Sequence, residues 1–505
     1  MLVMKRQTWQ KQHKWIGIVL AVFLLLFCVS GIVLNHRRAV AEVGISRNSL
    51  PEIYRYKAWN NGLLRGTIAL TDTDTAQQTC RKHILIYGKG GVWLTDSTGT
   101  DVQDFNAGLP RGADERAVMR IVRSDDGWLY CAAQYGLYQM RVPRGEREWR
   151  MAVWKEVPLQ KDADVRLTDV TAVDSQVVVV TRSELFVVTR QGAERQRIVV
   201  QPARGETPRK SLFRLVWQLH SGELFGLTGR LIVDGLALVF IVLIVTGLAV
   251  WLLPKAVRRR KMAGKDVSTL SRQLRGHWKW HELVGRKTVL LTLLMAVTGA
   301  MLRPPLLIAI ANGEVPDVFG TDNAWEDRLR MVRYDAEEHD WLLSTSDGFY
   351  SLKALDGVPE RISVQAPVSM MGINVLERVG QQWLVGSFSG MYLWDRRAAR
   401  VVDSTTGREL TEKPLPFGQL AVSGYSRDFG EPFTVTYYDG TDRLPQPHEL
   451  SGLPMSLYNL CLEIHTGRIF TFLGTLGSFL YIFIIGVLTV WLLVSGWFLR
   501  RTGKS

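Results

Sequence analysis

Apolar residues dominate four stretches of the 505-residue chain, about Trp15–Leu34, Leu231–Leu253, Val289–Ile310 and Ile469–Leu499. Each is close to the roughly 20 residues that an α-helix needs to cross the hydrocarbon core of a bilayer. Between the first and second stretches, and again between the third and fourth, the texture changes to short β-type runs closed by Gly, Asp and Asn. That pattern predicts strands and tight turns. The fold class expected is therefore membrane α-helical, with four transmembrane helices and a β-rich outer region. Helix one falls in 1–36, a β-rich insertion in 37–210 and helix two in 211–254. A basic link follows in 255–280, helix three in 281–311, a second β-rich insertion in 312–457, and helix four with a basic tail in 458–505.

The helical part is written twice. HKWIGIVLAVFLLLFCVSGIVLN from His13 and HELVGRKTVLLTLLMAVTGAMLR from His281 superpose at an offset of 268, aligning Gly17 with Gly285, Ser30 with Thr298 and Gly31 with Gly299. LHSGELFGLTGR from Leu219 and IHTGRIFTFLGT from Ile464 superpose at an offset of 245, aligning His220 with His465, Gly222 with Gly467 and Gly229 with Gly474. The membrane part thus reads as a duplicated two-helix unit. Each copy is expected to place a histidine at the start of each of its hydrophobic helices.

The insertions repeat too. HILIYGKGGVWLTD from His83, WLYCAAQYGLYQMR from Trp128 and VVVVTRSELFVVTR from Val177 resemble one another, as do WLLSTSDGFYSLK from Trp341 and WLVGSFSGMYLWD from Trp383; FTVTYYDGTDRL from Phe433 is a weaker relative. Their spacing of about 40 to 50 residues is that of a β-propeller blade. Two readings fit: one six-bladed, propeller-like ring built by both insertions, or two separate β-rich domains of hairpins.

The net charge of +14 would suit nucleic acid if it were spread over a soluble surface, but it is not. Lys5, Arg6, Lys11 and Lys14 precede the first span, nine Lys and Arg crowd 255–279, and Arg500, Arg501 and Lys504 follow the fourth span. By the positive-inside rule these segments and both termini are cytoplasmic and the insertions lie outside. The charge is a topology signal, and no nucleic-acid partner is expected. The first apolar run is too long for a signal peptide, lacks a small-x-small cleavage site and has an internal copy, so it is expected to stay in the membrane. Of the four cysteines, Cys80 and Cys131 share the first insertion, where an oxidising compartment would allow a disulfide.

Topology sets the repeated histidines on two levels, His13 with His281 on the cytoplasmic side and His220 with His465 on the outer side. In a duplicated bundle, equivalent residues face each other across the axis. Paired imidazoles on separate helices are a common way for a membrane bundle to hold a b-type haem. Four glycine-flanked histidines therefore point to haem iron ligation, with small residues clearing room for a flat macrocycle or for close helix packing. Arg37, Arg38, Arg230, Arg303 and Arg468 are candidate partners for haem propionates or an anionic substrate, and alternatively are snorkelling cations. His36 and His277 are reserve ligands. Asp234, one turn after Arg230, is either a functional acid or half of an i,i+4 ion pair.

HKWIG…VSGIVLN, its copy HELVG…VTGAMLR, and LHSGELFGLTGR…VTGLAVWLLP resemble the PepSY-associated transmembrane helix family of bacterial inner membranes, which includes ferric-iron and ferric-siderophore reductases. The resemblance implies an inner-membrane oxidoreductase with His13, His220, His281 and His465 as ligands of two b-type haems, and Arg230 and Arg468 near them. Electrons would pass from a cytoplasmic donor or quinol to ferric iron, free or siderophore-bound, in the periplasm. The remaining partners expected are membrane lipid and, with the chain's symmetry left open, a second copy in a homodimer. The other class compatible with the sequence is a non-redox membrane-anchored sensor or scaffold, whose propeller-like outer domain binds a ligand or partner.

Overall fold

The computed structural model describes residues 6–499 apart from 75–78, 160–164, 175, 190–193, 206–208, 312, 317–322, 370–371 and 412–419, so Lys5 and the basic tail from Arg500 lie outside the described residues. The chain forms two compact units. Met1–Val40, Pro208–Phe319 and Leu457–Ser505 make a helical unit; Ala41–Thr207 and Gly320–Ser456 make a β-rich one.

The helical unit contains α1 (Arg6–Asn35), α2 (Leu212–Ser221), α3 (Gly226–Met262), α4 (Ser268–Met301), α5 (Leu457–His465) and α6 (Gly474–Phe498). Among the described residues, four helices are long and apolar enough to cross a membrane, namely α1, α3, α4 and α6. α1 and α4 each pack on both α3 and α6, which closes a four-helix bundle, while α2 lies against α4 and α5 against α1. The bundle is inside out by the standards of a water-soluble one. Val19, Val22 and Val29 of α1 and Leu290, Leu291 and Leu294 of α4 are exposed, whereas Ser30, Thr246, Thr292, Thr298, Thr489 and Ser495 are buried. An apolar exterior suits lipid, and a buried hydroxyl is satisfied by its own helix. Thr292 donates to the Thr288 carbonyl at 3.1 Å and Thr489 to the Ile485 carbonyl at 2.7 Å.

Two expectations about this unit need correction. The segment 255–280 is not a loose link: α3 runs through Pro254 to Met262 and α4 starts at Ser268, so only 263–267 joins them. Lys and Arg are good helix formers, and nothing in the sequence stops a helix where the lipid ends. Nor do the histidines start the spans. His13 lies in the second turn or beyond of α1 and His281 well inside α4, while His220 and His465 sit in the last turn of the short helices α2 and α5. The reason is backbone geometry at the glycines that follow. Gly222 (φ +79°) and Gly467 (φ +76°) occupy the left-handed region, and a Cβ would collide with the Gly229 carbonyl or the Tyr481 ring respectively. Each short helix therefore ends there and the chain turns before its span begins. At the other end of α2, Ser211 Oγ accepts from the Arg214 amide at 3.2 Å.

The β-rich unit is built from antiparallel sheets, each with its own hydrogen-bonded ladder. Among the described residues, five are four-stranded meanders over 66–104, 118–157, 167–198, 329–361 and 373–403; a sixth pairs Val422–Ser426 with Phe433–Thr436, and a short seventh pairs Gly44–Ile45 with Met455–Ser456. In each of the five, the repeated hairpin of the sequence supplies the second and third strands. Neighbouring sheets share apolar cores: Leu85 and Ile121 join one and two, Tyr130 and Val179 two and three, Val178 and Val332 three and four. Leu342 and Val385 join four and five, Leu384 and Val422 five and six, and Val435 meets Ile86 and Trp93 between six and one. Charged pairs also link sheets. Arg120 of sheet two meets Glu377 of sheet five at 2.7 Å, and Arg333 of sheet four pairs with Asp169 of sheet three. Burial opposes the Glu377 charge, but Arg120 and Arg333 outweigh it and hold the carboxyl below its usual range.

Cys131 is a buried free thiol in the core between sheets one and two, and the side chain of Cys80, its expected partner, lies outside the described residues.

Candidate cofactor site

Each of the four repeated histidines faces another. The rings of His13 (α1) and His281 (α4) have centres 6.2 Å apart and planes at 74°. Those of His220 (α2) and His465 (α5) have centres 6.1 Å apart and planes at 56°. A metal with one imidazole nitrogen at about 2 Å on each side sets ring centres about 6 Å apart. On α1, His13 and Ser30, which lie at the two levels, are 17 residues apart, or roughly 25 Å along a helix. The pairs therefore sit towards opposite ends of the bundle.

Every ring is held by the same device. Nδ1 of His465 lies 2.9 Å from Ser30 Oγ, of His281 3.0 Å from Thr246 Oγ1, of His220 3.2 Å from Thr298 Oγ1 and of His13 3.1 Å from Ser495 Oγ. Each of those hydroxyls donates its hydrogen to a carbonyl of its own helix. Ser30 uses Leu26 at 2.6 Å, Thr246 uses Val242 at 2.6 Å, Thr298 uses Leu294 at 2.8 Å and Ser495 uses Leu492 at 2.8 Å. A hydroxyl has one hydrogen, so its oxygen can then only accept from the imidazole. Nδ1 must carry the proton, and Nε2 is left with its lone pair, the form that ligates metals.

The residue after each hydroxyl is a glycine on which the ring rests. An added Cβ would stand 3.4 Å from His465 Cε1 at Gly31, 3.2 Å from His281 Cε1 at Gly247, 2.8 Å from His220 Cε1 at Gly299 and 3.0 Å from His13 Cε1 at Gly496. Valine, hydroxyl and glycine thus recur in all four spans, as Val29-Ser30-Gly31, Val245-Thr246-Gly247, Val297-Thr298-Gly299 and Val494-Ser495-Gly496. Ser30 and Thr298 were visible as aligned small residues, whereas Thr246, Ser495 and their glycines were missed; the triplet was the available signal.

Two imidazoles per level are too few for a bare ion, and among the described residues no cluster of three or more His, Cys, Asp or Glu could hold one. A haem would bring its own ring nitrogens and need two imidazoles from the protein, which His13 with His281 and His220 with His465 would provide. Other groups fit the same reading. Tyr481 packs on Phe27 at 6.0 Å, and Phe27 on His465 at 5.5 Å. The buried Tyr481 hydroxyl and Arg303 Nε have no hydrogen-bond partner among the described residues. Burial and then the nearby Arg468 push the Arg303 guanidinium pKa down, with Glu463 opposing only in part. An anionic group beside it would relieve that repulsion.

The remaining predicted residues are placed as follows. Arg468 is held by Glu463 at 2.5 and 2.9 Å, and Arg230 is half-buried in the first turn or so of α3. Arg37 stacks on Tyr458 at 4.1 Å. The Asp234 carboxylate is taken up by α1, accepting from Asn35 Nδ2 at 2.9 Å and facing His36 Nε2 at 2.7 Å. His36 is thereby committed to Asp234. His277 lies one turn before His281 on α4. In the β-rich unit His83 stacks on Trp149 at 4.3 Å.

Four bundled apolar helices that interrupt themselves with a β-rich insertion in each half define an integral membrane protein. Residues 132–501 match the PepSY-associated TM region, and the chain belongs to that family. Comparison with curated proteins finds no match. Among solved structures, the extracellular domain of a candidate one-component system from B. thetaiotaomicron shares 9% identity at a TM-score of 0.36, over 77% of this chain and 33% of that one. This chain therefore spans about a third of that protein's length. Dihydro-heme d1 dehydrogenase NirN shares 9% identity at a TM-score of 0.29, over 79% of this chain and 64% of that one. The AfRom2 CNH domain shares 8% at 0.24, over 74% and 86%. At such scores none of these likenesses extends to function.

Proposed function

We propose that this protein is a haem-dependent reductase of the bacterial inner membrane, taking electrons from a cytoplasmic donor or quinol and delivering them to ferric iron, as a free chelate or siderophore complex, in the periplasm. Both termini and the basic ends of the spans face the cytoplasm in this reading, as their Lys and Arg favour. The observation that carries it is the fourfold lock, in which each imidazole is protonated at Nδ1 by geometry and its ring centre lies 6.1 or 6.2 Å from that of its partner.

His13 and His281 would hold one b-type haem, and His220 and His465 a second. Bound there, haem supplies one-electron redox chemistry, and the protein supplies ligation, orientation and electrostatics. The hydroxyls of Ser30, Thr246, Thr298 and Ser495 fix the ring tautomer and make each imidazole a stronger donor. Arg303 offers positive charge at the outer end of α4, suited to a propionate or an anionic ferric chelate. The five meanders and the Val422–Ser426 hairpin are read as one propeller-like unit.

The test is purified protein in nanodiscs, reduced anaerobically and mixed with ferric citrate while the Soret band is followed. Reoxidation by the chelate is expected, and loss of the outer-level signal in His220→Ala and His465→Ala. A colourless preparation from haem-replete cells would overturn the reading and leave the non-redox sensor or scaffold, which the repeated sheets alone would support.

A further inference from the structure

α4 is longer than crossing requires. Its 34 residues measure about 51 Å against a hydrocarbon core of about 30 Å. The surplus lies in its first half, which carries the basic residues and so sits at headgroup level. There an open groove of about 1000 Å³ is lined by Arg275, Trp278, Lys279, Arg286 and Lys287 of α4 and by Trp497 of α6. Glu282 is the acid of the lining and lies 3.5 Å from Arg286. Four cations against one carboxylate leave the groove at +3. Trp278 and Trp497 are 51% and 39% exposed, as expected of rings that meet the membrane interface. The same end of the bundle stacks Lys255 on Trp251 at 4.0 Å and Lys14 on Trp15 at 5.3 Å.

We infer that this groove binds an anionic phospholipid, with the phosphate among Arg275, Lys279, Arg286 and Lys287 and the acyl chains against the two tryptophans. Basic pockets between spans on this side of a membrane select anionic headgroups through surplus charge. A zwitterionic headgroup would return as much positive charge as it neutralised, so charge complementarity singles out a lipid with net negative charge. The open, indole-walled shape suits a ligand that keeps its tails in the bilayer rather than a small soluble anion, which would be left largely solvated. Because Trp278 and Glu282 flank His281 on α4, the lipid would lie beside the histidine pair of this level. The assignment holds whether or not the bundle carries haem.

The experiment is native mass spectrometry of the full chain in mild detergent, titrated separately with phosphatidylglycerol and phosphatidylcholine. Wild type is expected to retain about one phosphatidylglycerol with at least about tenfold preference over phosphatidylcholine. The variant Arg275→Gln/Lys279→Gln/Arg286→Gln/Lys287→Gln should lose that preference. Arg258→Gln/Arg259→Gln/Arg260→Gln, which removes charge at the same end but outside the groove, should keep it. The single Lys279→Gln and a salt titration of wild type should each weaken binding partially, which guards against misfolding of the fourfold variant. Equal retention of the two lipids, or equal loss in both multiple variants, would overturn the proposal. Displacement of the lipid by millimolar inorganic phosphate would overturn it as a free-anion site. Unchanged lipid binding in the fourfold variant, with loss of reduction by a soluble acidic donor protein, would assign the groove to that protein instead.

Discussion

Replacing Thr298 by Val keeps the shape of the side chain and removes only the oxygen that lies 3.2 Å from His220 Nδ1. The buried imidazole N–H would then lose its hydroxyl acceptor and keep only the Met295 carbonyl, at a cost of up to about 1–3 kcal/mol. That range corresponds to the 10–100-fold loss of metal affinity typical when a ligand's orienting partner is removed. The built-in control is Thr292→Val. Thr292 stands on the same helix, is as buried, and bonds the Thr288 and Val289 carbonyls at 3.1 Å each, but hydrogen-bonds no histidine among the described residues. Haem retention, followed through the Soret band during transfer to an excess of apo-acceptor, should fall about 10–100-fold for Thr298→Val and stay near wild type for Thr292→Val. Equal behaviour of the two variants would refute the claim that the hydroxyl sets the ligand's tautomer.

Gly299→Ala would drive a Cβ to 2.8 Å from His220 Cε1, and Gly496→Ala one to 3.0 Å from His13 Cε1. Each should perturb the spectrum of its own level and spare the other, measured as separate potentials in a redox titration. Glu377→Gln strips Arg120 of its partner across a contact whose side chains are 23% and 19% exposed, at a cost of up to about 3–5 kcal/mol. Since the folded Glu377 pKa is depressed, its contribution is present above the ordinary carboxylate range near 4.3 and drains away as pH falls through the folded value. Tryptophan-monitored unfolding should accordingly show wild type and Glu377→Gln converging in acid. Asp234→Ala removes the acceptor shared by Asn35 and His36 and should lower the melting point of the bundle, by an amount set by about 1–3 kcal/mol.

The spans, their duplication and the repeating β-hairpins were legible because hydropathy and turn residues act locally. Three features were not, each for a physical reason. The helices α3 and α4 outrun their apolar cores because Lys and Arg propagate a helix beyond the lipid as readily as Leu does within it. The break after His220 and His465 depends on left-handed glycines at 222 and 467, and a glycine in sequence does not announce its φ. The histidine lock was half visible. The first histidine-to-hydroxyl spacing is the same in both copies, 13 to 30 and 281 to 298, so Ser30 aligned with Thr298. From His220 to Thr246 and from His465 to Ser495 the spacings differ by about one helical turn, so an alignment fixed on the histidines slid those hydroxyls out of register. The pairing of each histidine with a hydroxyl on another helix is a tertiary fact that only the folded bundle displays.

The most direct measurement is a pyridine haemochrome count per chain on protein purified from haem-replete cells, repeated on a variant of each level. Two b-type haems in wild type, falling to about one in His281→Ala and to about one in His465→Ala, is the result expected if each facing pair ligates one iron. A count of zero, or one that neither substitution changes, would contradict it.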